Sequence, residues 1–168
     1  DLVVGTFSAA SNVTGIKTEV DQVTRLLKQY GALAIWDYGC AAPYTYMDMR
    51  AGSDAAKDAI VFLPHKFPGG PGASGVMILR DVIARIKTPT LAGGGTVNFV
   101  SPWGHIYSDK LCNREEGGTP NVIGDIRAAL SMLVKEALGQ SWLDQRHADL
   151  RARALVVWAQ NPRIEVLG

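Results

Sequence analysis

The sequence predicts an α/β domain, a mainly parallel sheet with helices on both faces. Leu2–Ser8, Thr18–Tyr30 and Ala32–Trp36 read in order as strand, helix and strand. The strand runs are almost wholly apolar, as parallel strands covered on both faces tend to be. Two helical patterns, Val122–Leu138 and Trp142–Ala159, follow late in the chain.

Each element has a local reason. The first strand ends at the polar turn Ala10–Gly15. Thr18 is placed to cap the first helix, with Asp21 in its first turn. Val20, Val23, Leu26 and Leu27 form its apolar stripe, and Gly31 is its stop. Ala32–Trp36 is the second strand and Ala59–Leu63 the third. Ser74–Leu79 follows a glycine-rich loop and reads as a strand that can return antiparallel, and Arg80–Ile86 as a short helix or turn. Thr90–Val100 holds Gly93-Gly94-Gly95, a segment of free or closely approached backbone. Gly117–Asn121 leads into the first long helix. In the second, Trp142, Leu143, Leu150, Leu155 and Trp158 read as core, and Asp144, Arg146, Asp149, Arg151 and Arg153 as its solvated face. Asn161-Pro162 breaks that helix, and Arg163–Leu167 reads as a strand barely begun. Both ends of the chain read as cut.

The 168 residues fit one domain with a sizeable core. A hydrophobic content of 47%, a charged content of 20% and a net charge of +1 describe a globular protein without a field for nucleic acid or anionic membrane. The longest apolar runs are strand-sized, too short for a bilayer. Cys40 and Cys112 fit a reducing compartment, hence a cytoplasmic location, and neither has a partner at metal-ligand spacing.

Chemistry gathers at strand ends. Lys66 follows the third strand and precedes Gly69-Gly70-Pro71-Gly72. Partial desolvation there would lower its pKa and free the amine for Schiff-base chemistry. Asp37 ends the second strand. An acid and an amine so placed suit pyridoxal phosphate, whose ring nitrogen takes an anion and whose aldehyde takes an amine. Asn12 lies at the end of the first strand, and His65 beside Lys66 could meet a phosphate. Each residue alone is more commonly an ordinary solvated loop residue; their shared place at successive strand ends is the stronger signal. His105 and His147 read as surface residues. The chain has no phosphate-loop Gly-Lys-Ser/Thr, no Gly-x-Gly-x-x-Gly between strand and helix, and no Gly-x-Ser-x-Gly elbow.

Five stretches occur in order: Ser11–Gly15, Trp36–Tyr44, Pro64–Phe67, Gly69–Gly72 and Glu116–Asn121. In them the sequence resembles the class V aminotransferase family, which includes cysteine desulfurases and selenocysteine lyases. The resemblance implies a pyridoxal 5'-phosphate enzyme of fold-type I, acting on an amino acid through an internal aldimine at Lys66. Lys66 would also shuttle the Cα proton. Asp37 would pair with the pyridine nitrogen, His65 would contact the phosphate, and Asn12 would sit near a cofactor oxygen and the substrate carboxylate. Gly93–Thr96 would lie near the active site across the interface of a homodimer.

Two departures are visible. Cys40 stands where many relatives bond the cofactor's phenolic oxygen with glutamine, and Leu63 where many bond its phosphate with serine. The resemblance also divides the chain, with 1–138 as the second half of the cofactor domain and 139–168 as a connecting helix and the first strand of a truncated C-terminal domain. The stacking side chain and the arginine for the substrate carboxylate would lie outside 1–168. Two other readings remain open: a catalytically silent fragment of such an enzyme, and a nucleotide-binding module built on the glycine loops.

Overall fold

A computed structural model describes residues 1–167 and divides into two compact units. One comprises residues 1–78 with those from 123 onward, the other residues 79–122.

The first unit is built on a four-stranded sheet in the order β1 (Val4–Ser8), β2 (Leu33–Asp37), β3 (Ala59–Phe62), β4 (Val76–Leu79). β1, β2 and β3 are parallel, with Ser8 beside Asp37 and Asp37 beside Val61. α1 (Val20–Gln29) is the crossover from β1 to β2. Val20, Val23 and Leu27 turn toward a core of Ala34, Trp36, Ile60, Phe62 and Phe67, while Leu26 is exposed. The fully buried Trp36 gives its indole N–H to Thr24 Oγ1 at 2.9 Å, and Thr24 passes its own proton to the Val20 carbonyl at 2.7 Å. A large apolar ring is thereby buried without an orphaned donor.

Polar stitches hold α1 from below. Asp58, 1% exposed, accepts the Ala34 amide at 2.7 Å and pairs with Lys28. Lys57, 2% exposed, donates to Asp21 at 2.8 Å, and Arg50 bonds the same carboxylate. Burial alone would raise the Asp21 pKa; Lys57 and Arg50 together hold it below the ordinary aspartate value.

Thr18 is not the cap of α1. The helix begins two residues later, after Glu19, with no side-chain cap, because Thr18 gives its hydroxyl proton to the Ser8 carbonyl at 2.8 Å. The two long helices, α3 (Val122–Leu138) and α4 (Gln140–Trp158), stand close to their expected bounds. In α4, however, Leu143 is buried while Trp142, Leu150, Leu155 and Trp158 are exposed. Its apolar residues are spread around the helix, so no single face can bury them together. The described residues 163–167 form no strand: Ile164 bonds back to the Asn161 carbonyl in a turn, and among the described residues no strand pairs with this segment.

The second unit holds a hairpin of β5 (Val97–Ser101) and β6 (Gly104–Tyr107) and a short helix α2 (Leu111–Glu115). The sequence shows Thr90–Val100 only as a glycine-bearing segment, because Gly93-Gly94-Gly95 mask the strand that starts at Val97. Thr96 closes that glycine turn, its hydroxyl donating to the Gly93 carbonyl at 2.7 Å.

Candidate active site

The parallel register places Ser8 beside Asp37 at the carboxyl ends of β1 and β2. Strand alternation does the rest. Trp36 and Tyr38 turn into the core, and Asp37 between them faces out. Burial, then the charges of Asp21 and Asp48, push the Tyr38 phenol up to about 12. The Asp37 carboxylate is fixed on both oxygens: Oδ1 accepts the Gly39 amide at 2.7 Å, and Oδ2 accepts the Ser8 hydroxyl at 3.3 Å.

Lys66 closes a 3₁₀ turn, Pro64–Lys66, directly after β3. Pro64 and Phe67 on either side are buried, and Phe67 stacks on Phe62 with centroids 6.2 Å apart. The turn is drawn tight by Gly70, whose amide bonds the Phe67 carbonyl at 2.9 Å. A Cβ on Gly70 would lie 1.9 Å from the Pro64 carbonyl oxygen, so glycine alone fits. The desolvation expected of Lys66 is not found. Its neighbours take the burial, and the lysine itself is exposed.

Asp37 and Lys66 line one cavity of about 650 Å³ with Asn12, Cys40, Thr18 and Leu63. That volume lies in the range of small-molecule sites. Asn12 sits in a turn ordered by Ser11, whose hydroxyl oxygen accepts the amides of Val13 and Thr14, both at 3.2 Å. Leu63 brings an apolar wall, and Cys40 a partly buried free thiol, to the cavity. His65 is exposed and is not among the residues that line the cavity. Cys40 also borders a second cavity of about 550 Å³, with Lys17, Tyr44, His147 and Arg151.

Ser8 and Gly39 carry no chemical signal of their own in the sequence. Ser8 ends β1 as Asp37 ends β2, and a parallel register alone would have paired them. A carboxylate held by two donors and an exposed amine thus line one cavity. Among the described residues no group of three or more His, Cys, Asp or Glu is placed to hold a metal, and no helix is long and apolar enough to cross a membrane.

Comparison with known proteins gives a consistent result. The chain is 27% identical over 143 residues to a probable cysteine desulfurase of Pyrococcus abyssi, covering 85% of this chain and 35% of that protein. It is 30% identical over 158 residues to a probable cysteine desulfurase of Vibrio cholerae, covering 94% and 38%. The fold matches the apo cysteine desulfurase of Thermococcus onnurineus NA1 with a TM-score of 0.81, at 28% identity, over 89% of this chain and 36% of that one. The Escherichia coli cysteine desulfurase CsdA shares the fold, with a TM-score of 0.78 at 24% identity over 95% and 39%. The chain thus spans little more than a third of the length of these relatives. Residues 2–168 match one family throughout, and on that match the chain belongs to the aminotransferase class-V family.

Proposed function

We propose that the chain is part of a pyridoxal-phosphate-dependent enzyme acting on an amino acid, with residues 1–138 as half of its cofactor domain and a second copy of the chain as partner. The observation that carries this is the convergence of Asp37 and Lys66 on one cavity at the ends of neighbouring parallel strands. Bound there, the cofactor would supply an electron sink for bonds at the substrate Cα. Asp37, oriented by Gly39 and Ser8, would keep the ring nitrogen protonated. Lys66 would hold the cofactor aldehyde and afterwards move a proton at the substrate Cα. Asn12 would face the substrate carboxylate. The name shared by the relatives makes cysteine the first substrate to test.

A second reading is a silent fragment that keeps the site without the reaction, favoured by the open exposure of both Asp37 and Lys66. One experiment separates them. The purified chain is incubated with pyridoxal phosphate, reduced with borohydride and digested, and the modified peptide is identified by mass. A pyridoxyl group on Lys66, absent from Lys66→Ala, is the expected result. Labelling spread over other lysines, with Lys66 bare in folded protein, would overturn the assignment. Specific labelling of Lys66 with no turnover of cysteine or of any other amino acid would select the silent fragment.

A further inference from the structure

Lys135 is a partly buried cation with no place in the reaction proposed above. It lies near the C-terminal end of α3 and does not line the cavity of Asp37 and Lys66. Its ammonium donates to the Ala42 carbonyl at 2.7 Å and the Thr45 carbonyl at 2.6 Å, and sits 5.6 Å from the centre of the Phe67 ring. Burial lowers its pKa against a smaller opposing effect of Asp144. A cation is kept in such a place only when its donors are used.

The acceptors belong to the segment that carries Cys40. After Asp37 the chain coils tightly: the Ala42 amide bonds the Tyr38 carbonyl at 2.8 Å, and the Tyr44 and Thr45 amides both bond the Ala41 carbonyl at 2.9 Å. A coil that stops after so few residues leaves its last carbonyls without backbone partners. Lys135 meets two of them, and Gln140 Nε2 meets a third, that of Tyr44, at 2.8 Å. Phe67, under the same ammonium, is the residue after Lys66.

We propose that Lys135 is a positioning residue: one ammonium ties α3 to the turn after Asp37 and to the turn of Lys66, fixing the two sides of the cavity relative to each other. The functional consequence rests on the cofactor reading above, whereas the mechanical one does not. Lys135→Met keeps the length of the stem and deletes the donors. Lys135→Arg keeps the charge and donors. Lys57→Met, which breaks the pair between the buried Lys57 and Asp21 of α1, serves as a variant destabilised elsewhere.

Amide hydrogen exchange followed by mass spectrometry is measured on the full chain, together with pyridoxal-phosphate affinity. Lys135→Met is expected to speed exchange in residues 40–46 and 65–68 by about tenfold and to weaken affinity by about tenfold. Lys135→Arg should restore both to within about threefold, and Lys57→Met should alter neither in those two segments. A fall in melting temperature with exchange unchanged in both segments would reduce Lys135 to a general stabiliser and overturn the proposal. So would faster exchange with affinity unchanged. If the wild-type chain takes no pyridoxal phosphate, the cofactor reading falls, and the exchange data still decide whether Lys135 joins the two turns. Should Lys135→Met not fold, Lys135→Gln removes the charge and shortens the donor arm at the same place. Exchange about threefold faster in both 40–46 and 65–68 is then expected, and no change in either would refute the clamp.

Discussion

The carboxylate of Asp37 owes its direction to a hydrogen. A Cβ on Gly39 would stand 2.9 Å from Asp37 Oδ1 and 3.4 Å from Leu63. The nearer obstacle is the far end of a side chain, which can rotate away. Gly39→Ala is therefore expected to cost less than about 1 kcal/mol in stability while turning the carboxylate out of its bonded position. Urea unfolding should be nearly unchanged, and pyridoxal-phosphate affinity should fall by about fivefold or more, since a charge-assisted bond contributes roughly 1.5–3 kcal/mol. Unchanged affinity would mean that Asp37 is not the anion the ring requires. At this scale the sequence was most legible where strand ends coincide: Lys66, Asp37, Asn12 and Cys40 all reach one cavity. The exposure of Lys66 was not legible, because Pro64 and Phe67 compete for the same interior and are the better apolar residues.

At the scale of the element, α1 shows what pattern reading reaches and what it misses. Its stop at Gly31 and its stripe, apart from the exposed Leu26, follow from spacing, but its start does not, since Thr18 spends its hydroxyl on the end of β1. Nor does spacing reveal that Lys57-Asp58, an apparently solvated pair, lies under the helix. Charges so buried must be partnered, and the partners come from a different element. Asp58→Ala would leave the Ala34 amide without its acceptor and Lys28 without its counter-ion. A loss of about 2–4 kcal/mol is expected in urea unfolding. Asp58→Asn keeps a carbonyl oxygen for the amide and should lose roughly half as much. Equal losses would assign the whole effect to the ion pair. α4 fails in the opposite way. Its apolar residues were readable one by one, but their angular spread leaves most of them outside the core.

For the whole molecule, the two units differ in what holds them. Every apolar side chain in the core, from Ala9 to Phe67 with Ala128 and Leu143, belongs to the first unit. Among the described residues of 79–122 the buried groups are Thr96, Ser108 and Arg114, all polar. They form a chain of bonds in which Arg114 donates to the Ser108 carbonyl at 3.1 Å and the Ser108 amide to the Thr96 carbonyl at 2.9 Å. Glu115 adds two bonds from Thr90, which hold its carboxyl below the ordinary value. Hydrogen bonds exchange with water at small net gain, whereas apolar burial supplies most of the free energy of folding. Residues 79–122 should therefore open at lower cost than the sheet unit. Limited trypsin digestion provides the measurement. The first cuts are expected after Arg85 and Lys87, exposed residues outside strand or α-helix, while the peptide from β1 through β3 stays intact. First cleavage at Lys28 or Lys57 would mean instead that the stitched sheet is the weaker unit. The order of cuts thus tests whether buried apolar surface, rather than the number of hydrogen bonds, decides which part of this chain yields first.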